Sequence, residues 1–233
     1  MVAEGIRLVA DALDAEIPFE GVVFCAPLAG TGRGAELVGA IAARAIPIEE
    51  VDERLFRDLA STDTPQGVIA VVEPPRFSLD DVRPAAGCPV LVADGVQDPG
   101  NLGALLRTAY GLGAPGVILL QGSADVGNPK VLRGAMGASF RMPVARATDV
   151  ELEAWAGKNS VTLWATVADG KVLDRADVPE RLAIVVGNEG AGIRPEILAL
   201  CRRRVAIPLA RGVESLNVAV AAGIFLYEVQ RAR

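Results

Sequence analysis

Apolar residues near the start of the chain fall at helical spacing (Ile6, Leu8, Val9, Leu13), and the same period returns over 35–45. Gly21–Ala26 and Gly67–Val72 are apolar runs of strand length, Ile46–Val51 is a further short strand, and Asp52–Leu59 patterns as a short amphipathic helix. Residues 1–75 therefore predict a small α/β unit. Pro74, Pro75, Pro84 and Pro89, with charges between them, mark 76–89 as a linker. From Val90 onward strands and helices alternate. Strands are expected at 90–93, 117–120, 161–167, 182–186 and 205–207, with a short extended piece ending at Val144. Helices are expected at 101–113, 129–137, 150–156, 195–202 and 216–231. Asn101 and Ser215 stand where the N-caps of their helices belong, and Pro195 suits a first helical turn. This alternation predicts an α/β domain over 90–233, a mostly parallel sheet with helices on both faces.

The length of 233 residues allows one large domain or two small ones. Aromatic residues make up only 4%, so the core must be built from Val, Leu, Ile and Ala. The longest apolar stretch, 218–227, is interrupted by Gly223 and is too short to span a bilayer, so no membrane association is expected. The first fifteen residues carry Glu4, Asp11 and Asp14 without a basic start, unlike a signal peptide. Cys25, Cys88 and Cys201 show neither zinc nor disulfide spacing, which fits reduced thiols in a cytoplasmic protein. Histidine is absent, which excludes a Ser-His-Asp triad, histidine proton shuttling and most catalytic zinc sites; no metal is expected. The net charge of −6 is unevenly spread: residues 1–75 hold five basic and thirteen acidic side chains, the remainder eighteen and sixteen. A nucleic-acid binder usually shows a basic surplus, and this chain has none.

Four segments carry glycine or polar residues beyond what packing needs. The first, Gly30-Thr31-Gly32-Arg33-Gly34-Ala35, with Glu49 and Glu50 downstream, is similar to a dinucleotide fingerprint. Pro27, Leu28 and Ala29 separate it from the preceding strand, where the fingerprint needs a tight turn. The second runs from Asp94 through a Pro99-Gly100 turn to Asn101, Gly103 and Arg107, a strand end meeting a helix start. Leu105, Leu106 and Ala109 suggest that this helix is largely covered by protein, where an unpaired Arg107 would be costly. The third places Gly187, Gly190 and Gly192 around Glu189, after a buried strand, so that backbone can approach a ligand closely. The fourth joins Ile207-Pro208-Leu209 to Glu214-Ser215-Leu216-Asn217-Val218-Ala219, ahead of a helix rich in small residues.

The last three segments together resemble the SpoU (TrmH) family of RNA ribose methyltransferases, of the SPOUT class. The motifs are N-x-G-x-x-x-R-T (Asn101 to Thr108), G-N-E-G-x-G (Gly187 to Gly192), and I-P-L followed by E-S-L-N-V-A (Ile207 to Leu209, Glu214 to Ala219). The front part, including Ser61-Thr62-Asp63-Thr64-Pro65-Gln66-Gly67-Val68, looks like that family's substrate-binding domain. The resemblance implies a trefoil knot near the carboxyl end, S-adenosylmethionine as cofactor, a homodimer, and methylation of a ribose 2'-hydroxyl in ribosomal or transfer RNA. It implies cofactor contacts from Thr166, Gly187, Asn188, Glu189, Gly192, Ile207, Pro208, Ser215 and Leu216. Arg107 takes the place of the catalytic arginine, with Asn101, Glu189, Ser215 and Asn217 orienting it and the target nucleotide. A guanidinium is a poor base, so the expected role of Arg107 is to clamp a phosphate and lower the hydroxyl's pKa. Arg33 of the acidic front, with Lys130, Arg133 and Arg141 of the catalytic domain, is expected to grip RNA. The homodimer contact is expected to include the final helix, where Ala219, Ala222 and Gly223 permit close approach. The rival readings are a dinucleotide-dependent enzyme using the Gly30–Gly34 loop and a non-catalytic RNA-binding module.

Overall fold

Val2–Glu4 (β1) turns directly into Ile6–Asp14 (α1) because Gly5, at φ 102°, adopts a backbone that other residues resist. Helix α1 buries Leu8, Val9, Ala12 and Leu13 along one stripe, as the apolar spacing predicts. Then come Phe19–Cys25 (β2), Ala26–Ala29 (α2), Gly32–Ala43 (α3), Ile48–Val51 (β3), Glu53–Leu59 (α4) and Val68–Val72 (β4). The four strands form one sheet in the order β1-β4-β2-β3, in which β2 and β3 are parallel and the other pairs antiparallel. This computed structural model describes residues 1–29, 31–174 and 177–231.

A 3-10 turn at Leu79–Asp81 leads to Val90–Asp94 (β5), Pro99–Gly111 (α5) and Val117–Leu119 (β6). Pro129–Ala135 (α6) and Ala138–Arg141 (α7) follow, then Val144–Arg146 (β7), Asp149–Lys158 (α8), Thr162–Val172 (β8) and Leu182–Gly187 (β9). Pro195–Leu200 (α9), Arg203–Ala206 (β10) and Val218–Gln230 (α10) complete the described chain. Strands β5 to β10 make a second sheet, ordered β10-β8-β9-β5-β6-β7 and parallel at every pairing. Val90, Val92 and Val185 point to one face, into a core shared with Leu152 and Trp155 of α8 and Ile197 of α9. Helix α10 packs on α5 and on β9, and these two helices cover the other face.

Contacts divide the chain into two units whose boundaries differ from the expected ones. The first comprises Met1–Arg76 together with Val126–Arg141; the second comprises Phe77–Asp125 and Met142 onward. Helices α6 and α7 thus belong to the first unit, where Leu132 and Phe140 join its apolar core. The segment 126–141 brings three basic residues and no acid, so the first unit holds nine basic and thirteen acidic side chains. Three further expectations are corrected. The N-cap of α5 is Asp98, whose carboxylate accepts from Asn101 N–H, with Pro99 in the first turn; Asn101 is already helical. The N-cap of α10 is Asn217, which accepts from the Ala219 and Val220 amides, while Ser215 lies in the preceding loop. The small residues of α10 serve contacts inside this chain: Ala222 is fully buried, and a methyl on Gly223 would sit 3.1 Å from Thr108 Cγ2 of α5. Among the described residues no helix is long and apolar enough to cross a membrane.

Candidate active site

In the second sheet Asp94 and Gly187 are register partners at the carboxyl ends of β5 and β9. Strand pairing therefore brings the first and second motifs side by side, at the edge where parallel α/β sheets bind ligands. Asn188 fastens the junction. Its Nδ2 donates to the Gly95 carbonyl at 2.8 Å, and its Oδ1 accepts from the Gly190 and Ala191 amides at 2.9 Å. The backbone then folds back, with Asn188 and Gly192 exchanging amide hydrogen bonds. A Cβ on Gly187 would lie 2.3 Å from the Gly192 carbonyl carbon, so this position accepts only glycine. By contrast a Cβ on Gly192 or Gly212 would meet nothing within 4 Å, so both face open space.

The third motif joins the other two through a side-chain chain. Asn217 Nδ2 donates to Asn101 Oδ1 at 2.8 Å, and Asn101 Nδ2 donates to Glu189 Oε1 at 2.8 Å. These partners are separated by 116 and 88 residues, yet each hydrogen bond has ordinary geometry. One residue serves both folding and site: the Asn217 side chain caps α10 with its oxygen and reaches Asn101 with its nitrogen.

An ion network missed in the sequence holds this arrangement from below. Asp94 is fully buried and accepts from Arg194 twice, through the backbone N–H and through Nε, both at 2.8 Å. The same guanidinium donates from Nη1 and Nη2 to both oxygens of Asp149, at 3.1 and 2.7 Å. The hydrogen bonds to Asp149, joined by those to Asp94, raise the Arg194 pKa above its already high ordinary value despite partial burial. The only signal in the sequence is an acid ending the otherwise apolar strand Val90–Asp94. Nothing local links it to an arginine one hundred residues later.

Arg107 is exposed on α5, while Leu105, Leu106 and Ala109 turn inward. The expected burial cost of this arginine therefore does not arise, and its guanidinium faces solvent. Thr166 sits half-buried on β8 with its hydroxyl donating to the Val185 carbonyl of β9. Ile207, Pro208, Leu209, Ser215 and Leu216 lie in the loop between β10 and α10. Arg33 is exposed in the first turn of α3, behind its N-cap Thr31, and is not in a loop. Lys130, Arg133 and Arg141, expected on the catalytic domain, belong to the first unit. There Arg133 donates to Ser61 Oγ at 3.1 Å and Arg141 to Asp11 at 3.3 Å. In the expected dinucleotide loop, Gly30 lies outside the described residues. Helix α2 follows β2 directly, and a Cβ on Gly34 would collide with the Leu28 carbonyl at 1.8 Å, so that glycine serves packing. Burial pushes the Cys201 thiol up to about 12, which leaves it protonated and poorly nucleophilic near neutral pH. Among the described residues no cluster of acids or cysteines could hold a metal ion.

Residues 89–227 match the model of the SpoU rRNA methylase family, and residues 2–78 match that of the RNA 2'-O ribose methyltransferase substrate-binding domain. The 23S rRNA (guanosine(2553)-2'-O)-methyltransferase RlmP of Bacillus subtilis is 37% identical over 77% of this chain and 71% of its own length. The AdoMet-bound rRNA methyltransferase of Sinorhizobium meliloti superposes with a TM-score of 0.85 at 32% identity, covering 99% of this chain and 86% of that one. The SpoU methyltransferase AviRb of Streptomyces viridochromogenes, in complex with AdoMet, reaches a TM-score of 0.86 at 28% identity over 99% and 89% of the two chains. With both family models in order along the sequence, and the three motifs meeting at one sheet edge, the chain belongs to the SpoU family of RNA methyltransferases.

Proposed function

We propose that this protein transfers a methyl group from S-adenosylmethionine to a ribose 2'-hydroxyl of ribosomal or transfer RNA. The observation that carries the reading is the hydrogen-bonded chain Asn217–Asn101–Glu189, which ties three distant motifs together at the carboxyl edge of the parallel sheet. The residues fit the cofactor. Gly192 and Gly212 leave backbone open to a ligand, and the Glu189 carboxylate suits a nearby sulfonium. Gly187, Asn188, Glu189 and Gly192 on one side, with Ile207, Pro208, Ser215 and Leu216 on the other, would hold it, and Thr166 stiffens the strand pair beneath them. When bound, S-adenosylmethionine supplies an electrophilic methyl group. As the O–C bond formed, the S–C bond would break with its electron pair left on the thioether sulfur and the hydroxyl proton would pass to water, so the chain's own part is to position the hydroxyl in line and lower its pKa. Arg107 can do both: its exposed guanidinium is free to take a phosphate as a bidentate partner and to stabilise the developing alkoxide. Asn101, in the first turn of α5, and Asn217, the N-cap of α10, orient the nucleotide.

The first unit, 1–76 with 126–141, is assigned to substrate recognition and the second to catalysis. The homodimer expected from the resemblance is better served by the exposed apolar stripe Val220, Ile224 and Tyr227 of α10 with Tyr110 of α5 than by the buried small residues. The trefoil knot is supported by family membership. A cytoplasmic location follows from the RNA substrate. The test is calorimetric titration with S-adenosylmethionine and with NAD, together with radiolabel transfer to a 23S rRNA transcript and to transfer RNA. Arg107→Ala should bind S-adenosylmethionine as the wild type does and transfer no methyl group. Full activity in that variant would remove Arg107 from the mechanism, and stabilisation by NAD alone would favour the dinucleotide reading.

A further inference from the structure

The first unit contains a cavity of about 260 Å³ that the transfer chemistry does not use. Its floor is Glu4, 5% exposed, whose carboxylate is saturated by the Ser61 amide and by the Ser61 and Thr62 hydroxyls. Burial raises the Glu4 pKa, but these hydrogen bonds, with Arg133 nearby, outweigh it and hold the group below its ordinary value. Glu4 is therefore an anchor that fixes the 61–66 loop over the cavity. The lining also includes the apolar residues Leu8 and Met136 and the basic residues Arg7 and Arg133. The polar rim is Thr64 and Gln66. The Gln66 oxygen accepts from the Ile6 amide, which leaves its NH2 group as a donor.

The charges of this lining cancel, two arginines against Glu4 and Asp11. A phosphate would face two carboxylates, and a cation would face two guanidinium groups. A neutral, flat ligand with a polar edge meets neither conflict. The volume lies just below that of drug-sized pockets, which suits one heterocycle and not a whole nucleotide. RNA-binding proteins read single bases in this way, splaying them out against apolar or guanidinium planes and hydrogen-bonding their edges. We infer that the cavity beside the Glu4-anchored loop receives one unstacked base of the RNA, stacked against Leu8, Met136 and the Arg133 guanidinium and read at its edge by Thr64 and Gln66. The inference rests on the RNA-methylating reading above. It deepens that reading by giving the acidic first unit a way to select RNA without a broad positive field.

The test uses the full chain and a 23S rRNA transcript substituted with 4-thiouridine. Photocrosslinked peptides should include those carrying Leu8 or Met136. Thr64→Trp, at an exposed rim position, should fill the mouth, abolish those crosslinks and raise the KM for the transcript about five- to one-hundredfold, the range that base stacking supports. Its kcat and its affinity for S-adenosylmethionine should not change. Crosslinks confined to the second unit, or an unchanged KM in a folded Thr64→Trp protein, would overturn the proposal. Should Thr64→Trp fail to fold, the wild-type crosslink map decides alone. Absence of methyl transfer by the wild type would instead defeat the functional reading, while the crosslinks would still report on the cavity.

Discussion

Replacing Arg194 by Met removes the guanidinium that neutralises buried Asp94 while keeping most of the apolar stem. Breaking a buried pair by deleting one partner typically costs about 3–5 kcal/mol, because the remaining charge is left uncompensated. Asp94 is 0% exposed, but the Arg194 side chain is 34% exposed, and the backbone N–H of residue 194 would still reach Asp94. Partial solvent screening and the surviving amide place the expected loss at the low end, about 3 kcal/mol. Both tryptophans, Trp155 and Trp164, lie in the second unit, so their fluorescence reports its unfolding separately from the first. With a urea dependence of about 2 kcal/mol/M, the midpoint should fall by about 1.5 M. Adding Asp94→Asn to Arg194→Met should restore part of the loss, since no buried charge then remains. Affinity for S-adenosylmethionine should weaken in the single variant as well, because Arg194 fixes the end of the Gly187–Ile193 loop. A midpoint shift below about 0.3 M, or a double variant no more stable than the single one, would refute the argument that Arg194 compensates Asp94.

Asn217→Ser should keep the cap of α10, within about 0.5 kcal/mol, but its shorter side chain cannot reach Asn101. Methyl transfer should drop while the melting temperature holds, and unchanged kinetics would reduce Asn217 to a cap. Glu4 has a folded pKa below its ordinary value, so its anchoring contribution is present above pH 4.5 and is lost as the pH falls through the folded pKa. Hydrogen exchange at the Ser61 amide should therefore accelerate in acid relative to the intrinsic rate, and Glu4→Gln should show weaker protection with no such acid step. Tyr227→Glu should split the proposed dimer by placing a charge in its apolar stripe; a light-scattering mass equal to that of the wild type would move the contact elsewhere.

Local chemistry in the sequence determined much of this protein. The strands of the second sheet are legible because fully buried parallel strands read as apolar runs, and five of its six appear as such, with β7 only as a short extended piece. The three motifs stand out because glycines and polar residues at strand ends are costly unless used. Asn101, Glu189 and Asn217, singled out from those motifs, do meet in space. What escaped the sequence depends on partners far away along the chain. β1 has only three residues, too few to show a period, and exists because it pairs with β4 some sixty-seven positions later. The choice between Asp98 and Asn101 as helix cap was decided by which oxygen reached an unpaired amide, since both residue types cap well. The segment 126–141 follows β6 in sequence but buries Leu132 and Phe140 in the core of the first unit. That transfer moved Lys130, Arg133 and Arg141 to the acidic unit and created the cavity beside Glu4. Arg194 carries no mark in its own neighbourhood, because its role comes from Asp94 and Asp149, which only the folded sheet brings within 3 Å of it. Periodicity and capping record what a residue needs from its near neighbours, whereas burial and charge compensation depend on which distant segments the closed fold brings together.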